Sequence, residues 1–173
     1  GYANQEINFP NGQMIGSANV STGFIASFDN CGNQRWAIQA GYISISTFIP
    51  AECYGLHYSS TQQSLFAILQ DGIELRVQNI DPVTGTSLSG IALTGTTANT
   101  NVVKAKYYAP TDEWYILTQD VTTGVYKMFY FSFSGNIFSV TTISLPDELV
   151  DFSIISPTNL CLIHNQNSNA YLE

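Results

Sequence analysis

Gly23-Phe24-Ile25-Ala26-Ser27-Phe28-Asp29, then Asn30-Cys31-Gly32-Asn33, then Gln34-Arg35-Trp36-Ala37-Ile38-Gln39-Ala40-Gly41 reads as a strand, a glycine turn and a second strand. The same phrase returns as Glu74 to Asp81, Pro82-Val83-Thr84-Gly85 and Ser87 to Leu93. It returns again as Tyr126 to Phe133, Ser134-Gly135-Asn136 and Ile137 to Ile143. A supersecondary unit repeated at a fixed interval is the signature of a propeller, solenoid or array.

Working outward, each later phrase is preceded by two more strand signals. Cys53 to Ser59 leads through Ser60-Thr61-Gln62-Gln63 to the apolar run Leu65-Phe66-Ala67-Ile68-Leu69. Val102 to Tyr108, the Pro110-Thr111-Asp112 turn and Trp114-Tyr115-Ile116-Leu117 repeat that order. Leu149 to Ile155, the Ser156-Pro157-Thr158 turn and Leu160 to Ile163 repeat it once more. The apolar strand therefore starts at 65, 114 and 160, and its spacing of 49 and then 46 residues is that of a four-stranded blade. The expectation is an all-β chain: a β-propeller, or part of one, built from four-stranded antiparallel blades of about 45–50 residues. It forms one propeller-like domain over 1–173, with units at about 1–41, 52–95, 101–145 and 146–173, the last ending in its third strand. The missing initiator Met marks a processed chain or the ordered piece of a longer one.

Composition agrees. The chain has 173 residues, ten Tyr and ten Phe, and long Ala/Glu/Lys/Leu helix-forming stretches are missing. Only 10% of residues are charged, so Ser, Thr, Asn and Gln must cover the surface. Thirteen acidic against five basic residues give a net charge of −8. Lys104 and Lys106 are the one close basic pair, too little to attract nucleic acid or an anionic membrane. No apolar run approaches the roughly 18 residues that span a bilayer. Three cysteines, Cys31, Cys53 and Cys161, leave at least one thiol unpaired within the chain, and none lies in a Cys-x-x-Cys pair.

Residues 1–41 carry a more specific pattern. Gly1-Tyr2-Ala3-Asn4 leads to Asn8-Phe9-Pro10; the apolar strand then ends in Asp29, before the Gly32 turn and a strand that ends in Gly41. This resembles the SBBP repeat of seven-bladed bacterial-type β-propellers, although Ser27 stands where that repeat usually has Lys. The later units match it only in strand order. The resemblance implies secreted or surface-attached proteins whose propellers serve display and adhesion, and it implies no catalytic residues.

Motifs for chemistry are sparse. His57 and His164 are more than 100 residues apart and read as ordinary strand histidines. Cys161 and His164, three apart on a strand, face opposite sides and form no dyad. The acidic pairs Asp112-Glu113 and Asp147-Glu148 read as solvated turns beside proline. Asp29-Asn30-Cys31-Gly32-Asn33 lacks the alternating ligands of a calcium loop and reads as a β-turn. No Gly-x-Ser-x-Gly elbow, Walker loop or dinucleotide fingerprint is present. No catalytic, metal or cofactor residue is therefore assigned.

Asn19-Val20-Ser21 is the one glycosylation sequon, and the Thr-rich loop Thr94 to Asn101 offers sites for O-linked sugar. Two functional expectations follow. The first is a non-catalytic extracellular or cell-surface structural protein, a scaffold or self-assembling glycoprotein subunit of a coat or filament. Its partners are copies of itself or other surface proteins. Open sheet edges would pair with another chain, with a strand around Gln5-Glu6-Ile7-Asn8-Phe9 as donor. The second is a lectin-like adhesion module that stacks glycans on Trp114, Tyr115 or Tyr107. A glycosidase or quinoprotein-like enzyme ranks below both, because no paired carboxylates or cofactor motif supports it.

Overall fold

The computed structural model describes residues 2–3, 7–10, 12, 14–15, 22–44, 47–132, 137–143, 148–166 and 169–172. Among these residues every regular element is a strand. The sequon at Asn19, the Ser134-Gly135-Asn136 turn and Asp147 lie outside the described residues. The chain divides into two compact units, Gly1–Thr94 and Gly95–Glu173.

In the first unit, β1 (Tyr2–Ala3), β4 (Thr22–Phe28) and β5 (Gln34–Gln39) form a three-stranded sheet in the order β1-β4-β5. Two short hairpins join it. One is β2 (Ile7–Asn8) with β3 (Met14–Ile15), and the other is β6 (Gly41–Ser44) with β7 (Thr47–Pro50). Within the N-terminal segment expected to donate a strand, Ile7 pairs with Ile15 and Asn8 with Met14, while Gln5 and Glu6 lie outside the described residues. Next comes a four-stranded meander, β8 (Glu52–Ser59), β9 (Ser64–Gln70), β10 (Leu75–Ile80) and β11 (Ser87–Leu93), in sheet order β11-β10-β9-β8. The second unit repeats the meander as β12 (Thr100–Tyr108), β13 (Glu113–Asp120), β14 (Tyr126–Ser132) and β15 (Ile137–Ile143). It ends in the three-stranded sheet β16 (Glu148–Ser156), β17 (Asn159–Gln166) and β18 (Asn169–Leu172).

Backbone irregularities recur with the same period. The first strand of each of the last three sheets carries a bulged residue near its start, Tyr54 in β8, Val103 in β12 and Val150 in β16, and β16 carries a second at Ile155. A bulge bends the strand and raises its local twist, so the same kink is built into three units. Among the described residues, Gln63 and Asp112, 49 residues apart in the turns after β8 and β12, are the two non-glycine residues with left-handed backbone, at φ +50° and +58°.

Alternation along the strands builds the cores. In the first unit Ile25 and Trp36 of the β4–β5 hairpin pack with Ala67 and Leu69 of β9 and Ile80 of β10. In the second, Tyr115 and Leu117 of β13 and Tyr126 and Met128 of β14 pack with Leu149 and Phe152 of β16. Lys106 ties these sheets together. Its ammonium pairs with Asp151 Oδ1 at 2.8 Å, donates to the Phe152 carbonyl and lies 5.2 Å from the Phe152 ring centroid.

The turns are fixed by aspartates. Asp81 Oδ1 accepts the N–H groups of Val83 and Thr84, and Asp120 Oδ1 those of Thr122 and Thr123. Asp29 does the same for Cys31 and Asn33, so this loop is the turn its sequence indicates. These backbone bonds favour the ionised form and hold the Asp81 and Asp120 carboxyls below the usual aspartate range. For Asp29 the Asn33 side-chain amide leads the same effect.

Candidate functional site

The three expected glycan-stacking residues are brought together, but as core. Trp114 is 2% exposed and Tyr115 3%, so neither offers a ring face to a sugar. The reason is position. β13 has β12 on one side and β14 on the other, and residues 113–118 are buried on both faces. Tyr107, half-buried on β12, packs edge-on against Trp114 at 5.6 Å and donates its hydroxyl to Asp112. These positions correct the stacking expectation for Trp114 and Tyr115 and leave Tyr107 with a ring and a hydroxyl already engaged.

The larger correction concerns Glu113. The Ala109–Asp112 turn ends one residue before it, and Glu113 is the first residue of β13. It therefore points to the same side as Tyr115 and is 8% exposed rather than solvated. Tyr130 donates its hydroxyl to Glu113 Oε1 and Thr111 donates to Oε2. The Tyr115 hydroxyl lies 3.3 Å from Oε2 and 3.1 Å from the Pro157 carbonyl oxygen. Register explains the meeting: Tyr115 stands opposite Tyr130 in the β13–β14 ladder, and their ring centroids are 5.3 Å apart. Burial, then the neighbouring carboxylate, pushes both phenols above the usual tyrosine range. The signal for this cluster was present as Glu113, Tyr115 and Leu117 at i, i+2, i+4, but a prolyl turn nearby hid it.

Beside the two tyrosines lies an open cavity of about 490 Å³, walled by Met128, Ile143, Leu160 and Leu162. The first unit has a comparable cavity of about 460 Å³ lined by Met14, Ile15, Ile25, Phe48, Leu69 and Ile80, with no acidic or basic residue in its lining. Among the described residues no group of three or more His, Cys, Asp or Glu side chains is placed to hold a metal ion. His164 is buried on β17, Cys31 is exposed, and Cys53 and Cys161 are half-buried, all three as free thiols. Burial pushes the Cys53 thiol up, which makes it a poor nucleophile.

The outer edges are the other candidate surface. β15 pairs with β14 through seven consecutive residues without a bulge, and no described strand lies on its far side. Its sequence, Ile-Phe-Ser-Val-Thr-Thr-Ile, has no charge and no proline. β11 is likewise free of charge and proline, with Leu88 56% and Ile91 42% exposed, but a bulge at Leu88 breaks its ladder. In comparisons with known proteins, no family model, no curated protein and no solved structure matches this chain.

Proposed function

We propose that this chain is a non-catalytic structural protein of the cell surface or extracellular space, a propeller-type β scaffold whose copies join edge to edge into a coat or filament. The observation that carries this reading is the edge of β15, on whose far side no described strand pairs. Proteins that stay monomeric blunt such edges with charges, prolines, bulges or a covering element. β15 has none of the first three in its seven residues, and β-branched and aromatic types dominate it. An edge of this kind favours pairing with a second copy, where each new strand gains a ladder of backbone hydrogen bonds.

The propeller element of the proposal rests on two meanders of four antiparallel strands, a third that stops at three, and one bulge recurring in the first strand of each. Pairwise face-to-face packing of sheets within each unit supports it too. The resemblance of residues 1–41 to bacterial-type propeller repeats points to the same setting.

Sedimentation and electron microscopy test the assembly. Val140 and Thr142 are exposed on β15, on the face away from the cavity. The wild-type chain is expected to form oligomers or fibres with rising concentration, and Val140→Lys with Thr142→Lys to remain monomeric with unchanged circular dichroism. A wild-type chain that stays monomeric at millimolar concentration would refute the proposal.

A further inference from the structure

The cavity in the second unit has a chemistry that its own residues leave incomplete. Glu113 is 8% exposed, and it belongs to neither the Arg76–Glu74 nor the Lys106–Asp151 ion pair. Its partners are three neutral hydroxyls. Thr111 and Tyr130 each give it one proton. Tyr115 has a single proton for two acceptors, Glu113 Oε2 at 3.3 Å and the Pro157 oxygen at 3.1 Å. A carboxylate offers about four lone-pair sites and a carbonyl two, so acceptors outnumber donors.

Both tyrosines line the cavity. With their protons committed inward, their oxygens can only accept from anything that enters. The ring of half-buried Tyr130 adds aromatic surface beside the cavity, which attracts a cation within about 6 Å. Most of the remaining wall, Met128, Ile143, Pro157, Leu160 and Leu162, is apolar, with the hydroxyls of Thr141 and Thr158 at its polar margin. An occupant that completes this environment brings hydrogen-bond donors, a positive charge and a hydrocarbon body. An anion would meet a buried carboxylate, and a neutral hydrocarbon would leave the acceptor surplus unmet.

We propose that this cavity binds a small organic ammonium ion, with its N–H groups toward the tyrosine oxygens, behind which the Glu113 carboxylate is buried, and its hydrocarbon body against Met128, Ile143, Leu160 and Leu162. The inference does not rest on the edge-to-edge assembly proposed above, although Ile143 of the cavity wall belongs to β15.

The test uses 2-phenylethylammonium and its neutral counterpart 2-phenylethanol, titrated into the full chain. Methyl NMR separates the two methionines, Met128 in the cavity wall and Met14 in the other unit. The expected result is saturable movement of the Met128 methyl, little movement of Met14, and ammonium binding at least about tenfold tighter than the alcohol. Glu113→Gln keeps the shape, removes the charge, and is expected to abolish that preference while alcohol binding persists. Equal binding of the two probes to the wild-type chain, or no Met128 shift up to about 10 mM ammonium, overturns the proposal. If Glu113→Gln does not fold, the wild-type comparison of charged and neutral probes still decides it.

Discussion

Gly85 and Gly124 form a matched pair that isolates one packing contact. Each closes an aspartate-led turn of the same geometry. Asp81 N–H donates to the Thr86 carbonyl and Asp120 N–H to that of Val125, both at 2.9 Å. Each glycine N–H donates back to its aspartate carbonyl at 2.8 Å, with φ of +74° at Gly85 and +72° at Gly124. The surroundings differ. A Cβ added at Gly85 would lie 2.7 Å from Trp36 Cε3, whereas at Gly124 it meets nothing within 4 Å. Trp36 cannot slide away freely, because its indole N–H donates to the Pro82 carbonyl of the same turn at 3.0 Å. Gly124→Ala should therefore cost the left-handed backbone term alone, about 1 kcal/mol. Gly85→Ala should cost that plus about 1–3 kcal/mol of overpacking. Urea unfolding checks both, with the indole N–H resonances of Trp36 and Trp114 reporting the first and second units separately. Costs equal to within about 0.5 kcal/mol would refute the claim that Trp36 holds the Asp81–Gly85 turn.

Acid should destabilise the chain as pH falls below about 4, since native aspartates with lowered pKa values bind protons more weakly than unfolded ones. Asp120→Asn keeps an acceptor for Thr122 and Thr123 but does not titrate, so its acid limb should be shallower than wild type in urea midpoints measured from pH 2 to 6; superimposable limbs would count against these turns. At the other extreme, raised phenols hold their protons in the folded chain and lose them in the unfolded one, so stability present below the usual tyrosine value of 10.0 should fall above it. Tyr130→Phe should flatten that alkaline limb and cost about 1–3 kcal/mol at neutral pH by leaving Glu113 Oε1 without its donor; a parallel limb would contradict the Glu113–Tyr130 bond.

The strand order was legible in the sequence because alternation and glycine turns are local signals. Ser87–Leu93 and Ile137–Ile143 fall where the alternation puts them. The bulges were not legible, since Tyr54 differs from Val103 and Val150 and valine also stands at unbulged strand positions such as Val77 and Val102; a bulge arises from the ladder with the next strand. Trp114 and Tyr115 were misread for a related reason. Aromatics suit a sugar-binding surface and a core equally, and only the presence of strands on both sides of β13 assigns them to the core. Glu113 turned on one residue of boundary: a strand starting at Trp114 leaves it in solvent, and one starting at Glu113 buries it.

The meander itself has a consequence for how the chain comes into being. In the sheets β8–β11 and β12–β15 every pairing joins consecutive strands, so each contact closes only a short loop. Hairpins of this kind form in microseconds, while a ribosome adds about 5–20 residues per second. Each four-stranded sheet can therefore zip up during synthesis, before the next has left the exit tunnel. Vectorial folding of that sort shortens the time in which an uncharged strand such as β15 stands without its β14 partner.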